Sequence, residues 1–210
     1  ANVAVSGGSF SSKVPENLCK TGYIPTEADT DGLYGVKVGA YVAYDTTSKA
    51  KFESLQEAIN AATNSHTVWL LEDITLTERV VVNDPSRSIT LNLRGHSITA
   101  KGDALINNGK LTIMSTGDTS GTGKIVSETG VAVGVGNNAY LKITSGTFEG
   151  REGAVITSKS TGATIDIKNG TFIATDNAVI AGNGSNRQGE PNKITIKGGT
   201  FNGSIESEGY

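Results

Sequence analysis

Apolar and polar residues alternate along this chain, but only in short runs. In Leu141/Ile143, Ile165/Ile167 and Ile194/Ile196 the apolar members share one face of an extended segment, while Lys142, Asp166 and Thr195 point to the other. A glycine and then Thr-Phe follow each run. Tyr140–Phe148, Thr164–Phe172, Lys193–Phe201 and Asn2–Phe10 are four copies of one pattern: apolar-x-apolar-x-x-Gly-Thr/Ser-Phe. Ile89–Ile98 and Leu111–Ile113 are looser members. Starts spaced by 20, 30, 24 and 29 residues, from Leu91 to Ile194, define a repeat of variable length. A second apolar series lies between them, at Ala104–Ile106, Val131–Val133, Ala154–Ile156 and Ala178–Ile180.

Each repeat therefore holds about three strands too short to bury a core alone, so stacking of neighbours must supply it. Gly146, Gly170 and Gly199 permit a sharp bend, and Phe148, Phe172 and Phe201 should return inside as a ladder at the strand spacing of ~4.8 Å. The expectation is an all-β fold, a right-handed parallel β-helix (solenoid). Extra residues should loop out at 115–122 and 182–192. Asn107, Asn137, Asn177 and Asn183 border turns, where Asn is suited to left-handed geometry and to stacking.

One segment has helical periodicity. Phe52, Leu55, Ala58, Ile59 and Ala62 form an apolar stripe over residues 51–62, with Asn64 as the stop. Placed just before the strand-like runs 66–71, 74–76 and 80–82, it is expected to cap the open end of the first coil.

Ser54-Leu-Gln-Glu-Ala-Ile59, then Thr67-Val-Trp-Leu70, then Ile89-Thr-Leu-Asn-Leu93 with Gly95 resemble the opening of pectin-lyase-like right-handed parallel β-helices. The Gly-Thr-Phe coils resemble repeats in large secreted or surface proteins of Gram-positive bacteria. In such proteins a stretch like Val5–Phe10, Gly22-Tyr23, Asp31–Tyr34 and Tyr41–Ala43 closes one module and leads to the next. The resemblance covers nearly the whole chain and implies a fold; that superfamily hosts lyases, hydrolases, esterases, adhesins and inert stalks.

The order of parts carries a further expectation. A closing motif, at residues 1–40, precedes the capping helix, and the last coil ends without a cap. If Ala1 of one copy follows Tyr210 of another, Val3 falls 19 residues after Ile194 and Phe10 falls 19 after Phe201, a coil length. The division expected is an arm or closing coil at 1–40 and a β-helix domain at 41–210. Three arrangements fit: one period of a tandem array, a subunit whose arm completes its neighbour by strand addition, or an arm folded back on its own chain. Head-to-tail continuity is favoured. The self-association residues would be Val3, Val5, Phe10, Leu18, Tyr23 and Tyr34 on the arm, and Ile194, Ile196, Phe201 and Ile205 on the receiving coil. The start at Ala1, without Met or a signal-like apolar stretch, suggests a processed, excised or cloned beginning.

Composition narrows the chemistry. The 210 residues include 27 Gly, two His and one Cys, with a net charge of −3. A single Cys allows no intrachain disulfide framework, and the charge does not suit a basic nucleic-acid footprint. No apolar run is long enough to span a membrane. Cleavage of polysaccharides needs paired carboxylates, and no acidic column stacks up: Asp166 has Lys142 and Thr195 as counterparts. Asp176 and Glu149–Glu152 read as turns, and Asp31-Gly32 as a tight hairpin turn rather than a calcium loop. His66 and His96 lack a serine elbow, and Cys19 suits a small buried apolar role. The reading is therefore not an enzyme and without a cofactor. It is a structural module of an extracellular or cell-surface bacterial fibre, stalk or adhesin, with itself as head-to-tail partner and surface glycans as a second possible one. The alternative is a carbohydrate-binding or polysaccharide-cleaving β-helix module.

Overall fold

The computed structural model describes residues 3–117, 122–157, 160–181 and 190–206. Backbone contacts divide the chain into two compact units, Ala1–Tyr41 and Val42–Tyr210.

The first unit holds a single 3₁₀ turn, Glu16–Leu18, and two strands, β1 (Tyr23–Pro25) and β2 (Val36–Val38), paired antiparallel. Between the strands, Asp29 Oδ1 accepts from the amides of Asp31 and Leu33, both at 2.9 Å, and Gly32 takes φ +76°. This is the tight turn read at Asp31-Gly32, organised by the carboxylate two residues upstream. Val14, Ile24 and Pro25 are the buried apolar residues among those described in this unit.

In the second unit, β3 (Ala43–Asp45) and β4 (Lys51–Phe52) form an antiparallel pair, followed by α1 (Leu55–Ala61). The helix begins at Leu55 rather than at residue 51, because Lys51 and Phe52 are held by β3. Ser54 Oγ accepts from Glu57 N at 3.1 Å, an N-cap worth about 1 kcal/mol. Arg87 Nη1 donates to the carbonyl of Asn60 at 3.0 Å and to that of Ala62, satisfying acceptors at the helix end. Leu55, Ala58 and Ile59 are buried.

Strand triplets follow. They are β5 (Thr67–Leu70), β6 (Ile74–Leu76) and β7 (Val80–Val82); β8 (Ser88–Asn92), β9 (Ser97–Ala100) and β10 (Leu105–Asn107); β11 (Lys110–Met114), β12 (Lys124–Ser127) and β13 (Val131–Val135). Then come β14 (Tyr140–Ile143), β15 (Thr147–Gly150) and β16 (Gly153–Ile156); β17 (Thr164–Ile167), β18 (Thr171–Ala174) and β19 (Ile180–Ala181); β20 (Lys193–Ile196), β21 (Thr200–Asn202) and β22 (Ile205–Glu206). Each strand pairs in parallel with its counterpart in the adjacent triplet, which makes the unit a β-solenoid with three sheets of six, eight and six strands. About four turns, β8 through β19, are flanked on both sides. All-β content and parallel stacking thus follow the alternation pattern.

Stacking places like over like. Leu111, Leu141, Ile165 and Ile194 form one inward column, and Ile113, Ile143, Ile167 and Ile196 the next. Ile98, Ile125, Phe148, Phe172 and Phe201 form the third. The Phe148, Phe172 and Phe201 rings stack with centroids 5.3 and 5.1 Å apart and planes within 11°. Each fully buried member contributes about 1.5–3 kcal/mol. The second apolar series stacks as well: Leu105 pairs with Val133, and Val155 with Ile180. The coils reach that sheet through turns of different length.

Corner side chains bind the coils together. Asn64, Asp73, Asp103, Asn137 and Asn192 accept from the amides of Ser88, Ser97, Val131, Thr161 and Ala163 on neighbouring coils at 2.7–3.0 Å. Asn107, wholly buried, donates to Tyr140 O and accepts from Gly109 N. Residues 118–121 and 182–189, half of the first expected loop and most of the second, with Asn183, lie outside the described residues.

Candidate association surfaces

Burial falls off at the coil β20–β22. Ile167 and Ile180 are fully buried, whereas their column neighbours Ile196 and Ile205 are 37% and 49% exposed. Ile194 and Phe201 are half-buried, although Ile165 and Phe172 beneath them are not exposed at all. In parallel pairing each strand turns alternate residues to opposite neighbours. Lys193, Lys197 and Thr200 donate their amides back to Ala163, Ile167 and Gly170 at 2.8 Å. The alternate residues Ile194, Ile196 and Phe201 direct their backbone groups to the other edge, which has no strand on it among the described residues.

The first unit, taken by itself, has a backbone edge of its own. Val5 donates its amide to Leu18 O and accepts from Lys20 N, both at 2.8 Å, in a parallel bridge to Cys19. Phe10 and Tyr34 exchange two backbone bonds, at 2.8 and 2.9 Å. The structure thus brings Val5, Phe10, Leu18 and Tyr34 together in one folded unit, more than an extended arm. Val5 and Phe10 spend their backbone groups on that side, so Ala4, Ser6 and Ser9 direct theirs to the opposite edge. Val3 is 60% exposed, and Tyr23 lies in β1 under the Lys20 ammonium.

The corner glycines carry a second match. Gly146, Gly170 and Gly199 take φ +123°, +143° and +126°, and the ring of the phenylalanine two residues on lies 3.0–3.3 Å from where a Cβ would stand. Gly8 takes φ +109°, with the Phe10 ring at 3.1 Å. The coil corner therefore recurs in the first unit.

Asp45, His66 and Thr63 form a polar cluster that their separation along the chain does not reveal. Asp45, 1% exposed, accepts from His66 Nδ1 at 2.6 Å and from Thr47 N at 2.9 Å. With that proton directed to the carboxylate, His66 Nε2 accepts from the Thr63 hydroxyl at 2.8 Å. The chain Thr63–His66–Asp45 has the order of a hydrolytic triad, but it ties the β3 turn to the strand β5 beyond the helix, and Asp45 Oδ1 is occupied by turn amides. Its chemistry is that of a clamp.

Burial pushes the Asp45 carboxyl up, but the bonds from His66, Thr47 and Ser48 outweigh it and hold the group below its ordinary 3.8. A lowered carboxylate stabilises the fold above the unfolded-state value and loses that contribution as pH falls through the folded value. Asp45→Asn is expected to cost about 1–3 kcal/mol near neutrality. The gap between the two melting temperatures should close on acidification below 3.8, and a gap that stays constant from pH 7 to pH 2 would contradict the assignment.

Of the remaining candidates, Glu149 lies in β15 rather than in a turn, because the strand runs on to Gly150, and Cys19 is not fully buried as expected. Asp176 pairs with Arg151 Nε at 2.6 Å, and His96 lies 3.5 Å from Asp73. The Cys19 thiol is free and half-buried, directed at Pro15 O at 3.7 Å. Among the described residues no group of three or more His, Cys, Asp or Glu could hold a metal, and no helix is long and apolar enough to cross a membrane. Comparison with protein-family models, with curated proteins and with solved structures finds no match.

Proposed function

We propose that this chain is a structural module of an extracellular or cell-surface bacterial fibre, stalk or adhesin, joined head-to-tail through its first unit and its last coil. The solenoid is right-handed, as nearly all parallel crossovers are, and α1 covers its first coil. The pectin-lyase-like and Gly-Thr-Phe resemblances favour an extracellular setting.

The observation that carries the reading is the agreement of two edges. The first unit repeats the coil corner at Gly8–Phe10 and directs Ala4, Ser6 and Ser9 to the edge opposite Leu18 and Tyr34. The last coil offers β20 and β21 with exposed Ile196. In register, Val3 lies over Ile194, Val5 over Ile196 and Phe10 over Phe201, with the Ser6 and Ser9 amides donating to the Ile196 and Gly199 carbonyls of a second copy. Such a contact does not close on itself and generates a linear array. The same contact serves copies joined in one chain.

Light scattering and negative-stain images at rising concentration test this. Linear oligomers are expected for the intact chain. Ile196→Lys or deletion of residues 1–12 should leave monomers, with the β5–β19 stack still folded by circular dichroism. Monomers alone at high concentration of the intact chain would sink the proposal.

A further inference from the structure

At the entry end of the solenoid the three sheets finish differently. The eight-stranded sheet is closed there by β3, which pairs with β5. The edge of β7 is held by Gln56 of α1, whose side-chain amide donates to Val81 O at 3.0 Å and accepts from Val81 N at 2.7 Å. The third sheet ends at β6, which pairs with β9 alone among the described residues. In that sheet the outward residues donate back to the preceding coil: Lys124 N to His96 O, Thr147 N to Gly123 O and Thr171 N to Gly146 O, at 2.9–3.1 Å. Thr75 is the outward residue of β6, so its amide and carbonyl face an edge with no coil before it.

Burial falls off at the same place. Ile98 and Ala100 are buried, whereas their partners on β6, Ile74 and Leu76, are half-buried. These two line a groove of about 770 Å³ that β6 shares with α1. Glu53, Glu72, Asp73 and Glu78 line it too, against one cation, Arg79, which lies 3.6 Å from Asp103. Asp73 Oδ1 already accepts from Ser97 N, so Glu72 and Glu78, both exposed, are the acids at either end of β6. Among the described residues no three such groups gather to hold a metal, so the negative charge is spread along an edge rather than concentrated at a point.

We propose that the β6 edge receives an extended, basic segment of a partner protein as an added strand. Backbone bonds to Thr75 attach it, the mode of strand addition at an exposed sheet edge. Its alternate apolar residues stand over Ile74 and Leu76 and continue their columns by one step. Lys or Arg residues at its two ends meet Glu72 and Glu78. Each feature selects. An acidic segment meets like charge, a segment interrupted by proline lacks a ladder donor, and the phosphates of a nucleic acid are repelled by the same carboxylates. The site uses neither the last coil nor the first unit, so this proposal and the head-to-tail contact fail separately.

The test uses the intact chain and a fluorescein-labelled peptide, Lys-Thr-Val-Thr-Val-Thr-Lys, read by anisotropy. The peptide reads the same in both directions, so a parallel and an antiparallel strand both set valine over Ile74 and Leu76 and lysine over Glu72 and Glu78. Saturable binding below about 1 mM is expected at low salt, weakened at about 0.3 M salt by screening. The peptide with Glu in place of both lysines should bind about tenfold more weakly or worse. N-methylation of both valines blocks a parallel strand, and that of the central threonine an antiparallel one, so one of the two changes should cost about tenfold. Glu72→Gln, Glu78→Gln should lose about tenfold, whereas Glu149→Gln, Glu152→Gln, an equal change of net charge on the β15–β16 coil, should lose little. All four positions are exposed, so the fold should survive both changes. No saturable binding, equal binding of the two charge forms, indifference to both methylations, or equal losses in the two double variants would overturn the proposal.

Discussion

Replacing Phe172 by alanine is expected to destabilise the solenoid by about 4 kcal/mol, seen as a fall in melting temperature of roughly 8–16 °C. Phe172 is fully buried and stacks on two rings, Phe148 at 5.3 Å and Phe201 at 5.1 Å. Truncation removes its own transfer free energy and leaves a gap that neither neighbour can fill, because each is fixed by parallel backbone pairing at Thr171 and Thr147 or Thr200. It also removes both aromatic contacts, each worth about 0.5–1.5 kcal/mol. Stability in a stacked array is the sum of units and their nearest-neighbour interfaces. Phe172→Ala weakens two interfaces at once, so the β20–β22 coil should lose amide protection before the rest. Phe201→Ala, at a half-buried ring with one stacking partner, should cost less than half as much. Equal effects of the two substitutions would show that the ladder does not act as a column.

The second large effect is expected at Gly150. A Cβ there would stand 2.0 Å from the carbonyl oxygen of Gly153 and 2.9 Å from the amide nitrogen of Ala132, both backbone atoms. Only Arg151 and Glu152 separate β15 from β16, so the chain turns the corner tightly and the Gly153 carbonyl folds under Gly150. Gly150→Ala must therefore open the corner, and is expected to cost about 3 kcal/mol, at the upper end for overpacking. The column neighbours Ser127 and Ala174 carry a Cβ without difficulty, because their turns are longer. Gly102→Ala is the control: nothing stands within 4 Å of its added carbon, and its thermal midpoint should move little. A Gly150→Ala chain that melts with the parent would show that the corner relaxes freely.

These two positions mark the limit of what the alternation pattern reveals. Phe172 was legible: Gly170-Thr-Phe172 repeats in step with Ile165/Ile167, and a repeat whose strands cannot bury anything alone must stack. Gly150 was not, because it falls outside the shared motif and its need for hydrogen arises from the length of one turn. Helix α1 shows the same division. Its apolar stripe was plain, but its start depended on β3 drawing Lys51 and Phe52 into a strand, a contact between separate segments.

The candidate surfaces divide likewise. The sequence determined that Val3, Val5 and Phe10 repeat the spacing of Ile194, Ile196 and Phe201, because period-two alternation and a glycine corner are local properties of the chain. It also placed Lys142 and Asp166 on the outward side. Only the tertiary structure decided that Val5 and Phe10 spend their amides on Leu18 and Tyr34. Only stacking left Thr75 at the end of its sheet and brought Asp45 to His66 across 21 residues. Such contacts depend on which coil lies on which and on how many residues each turn consumes. Alternation sets the face a side chain takes, but turn length sets its neighbour on the next coil.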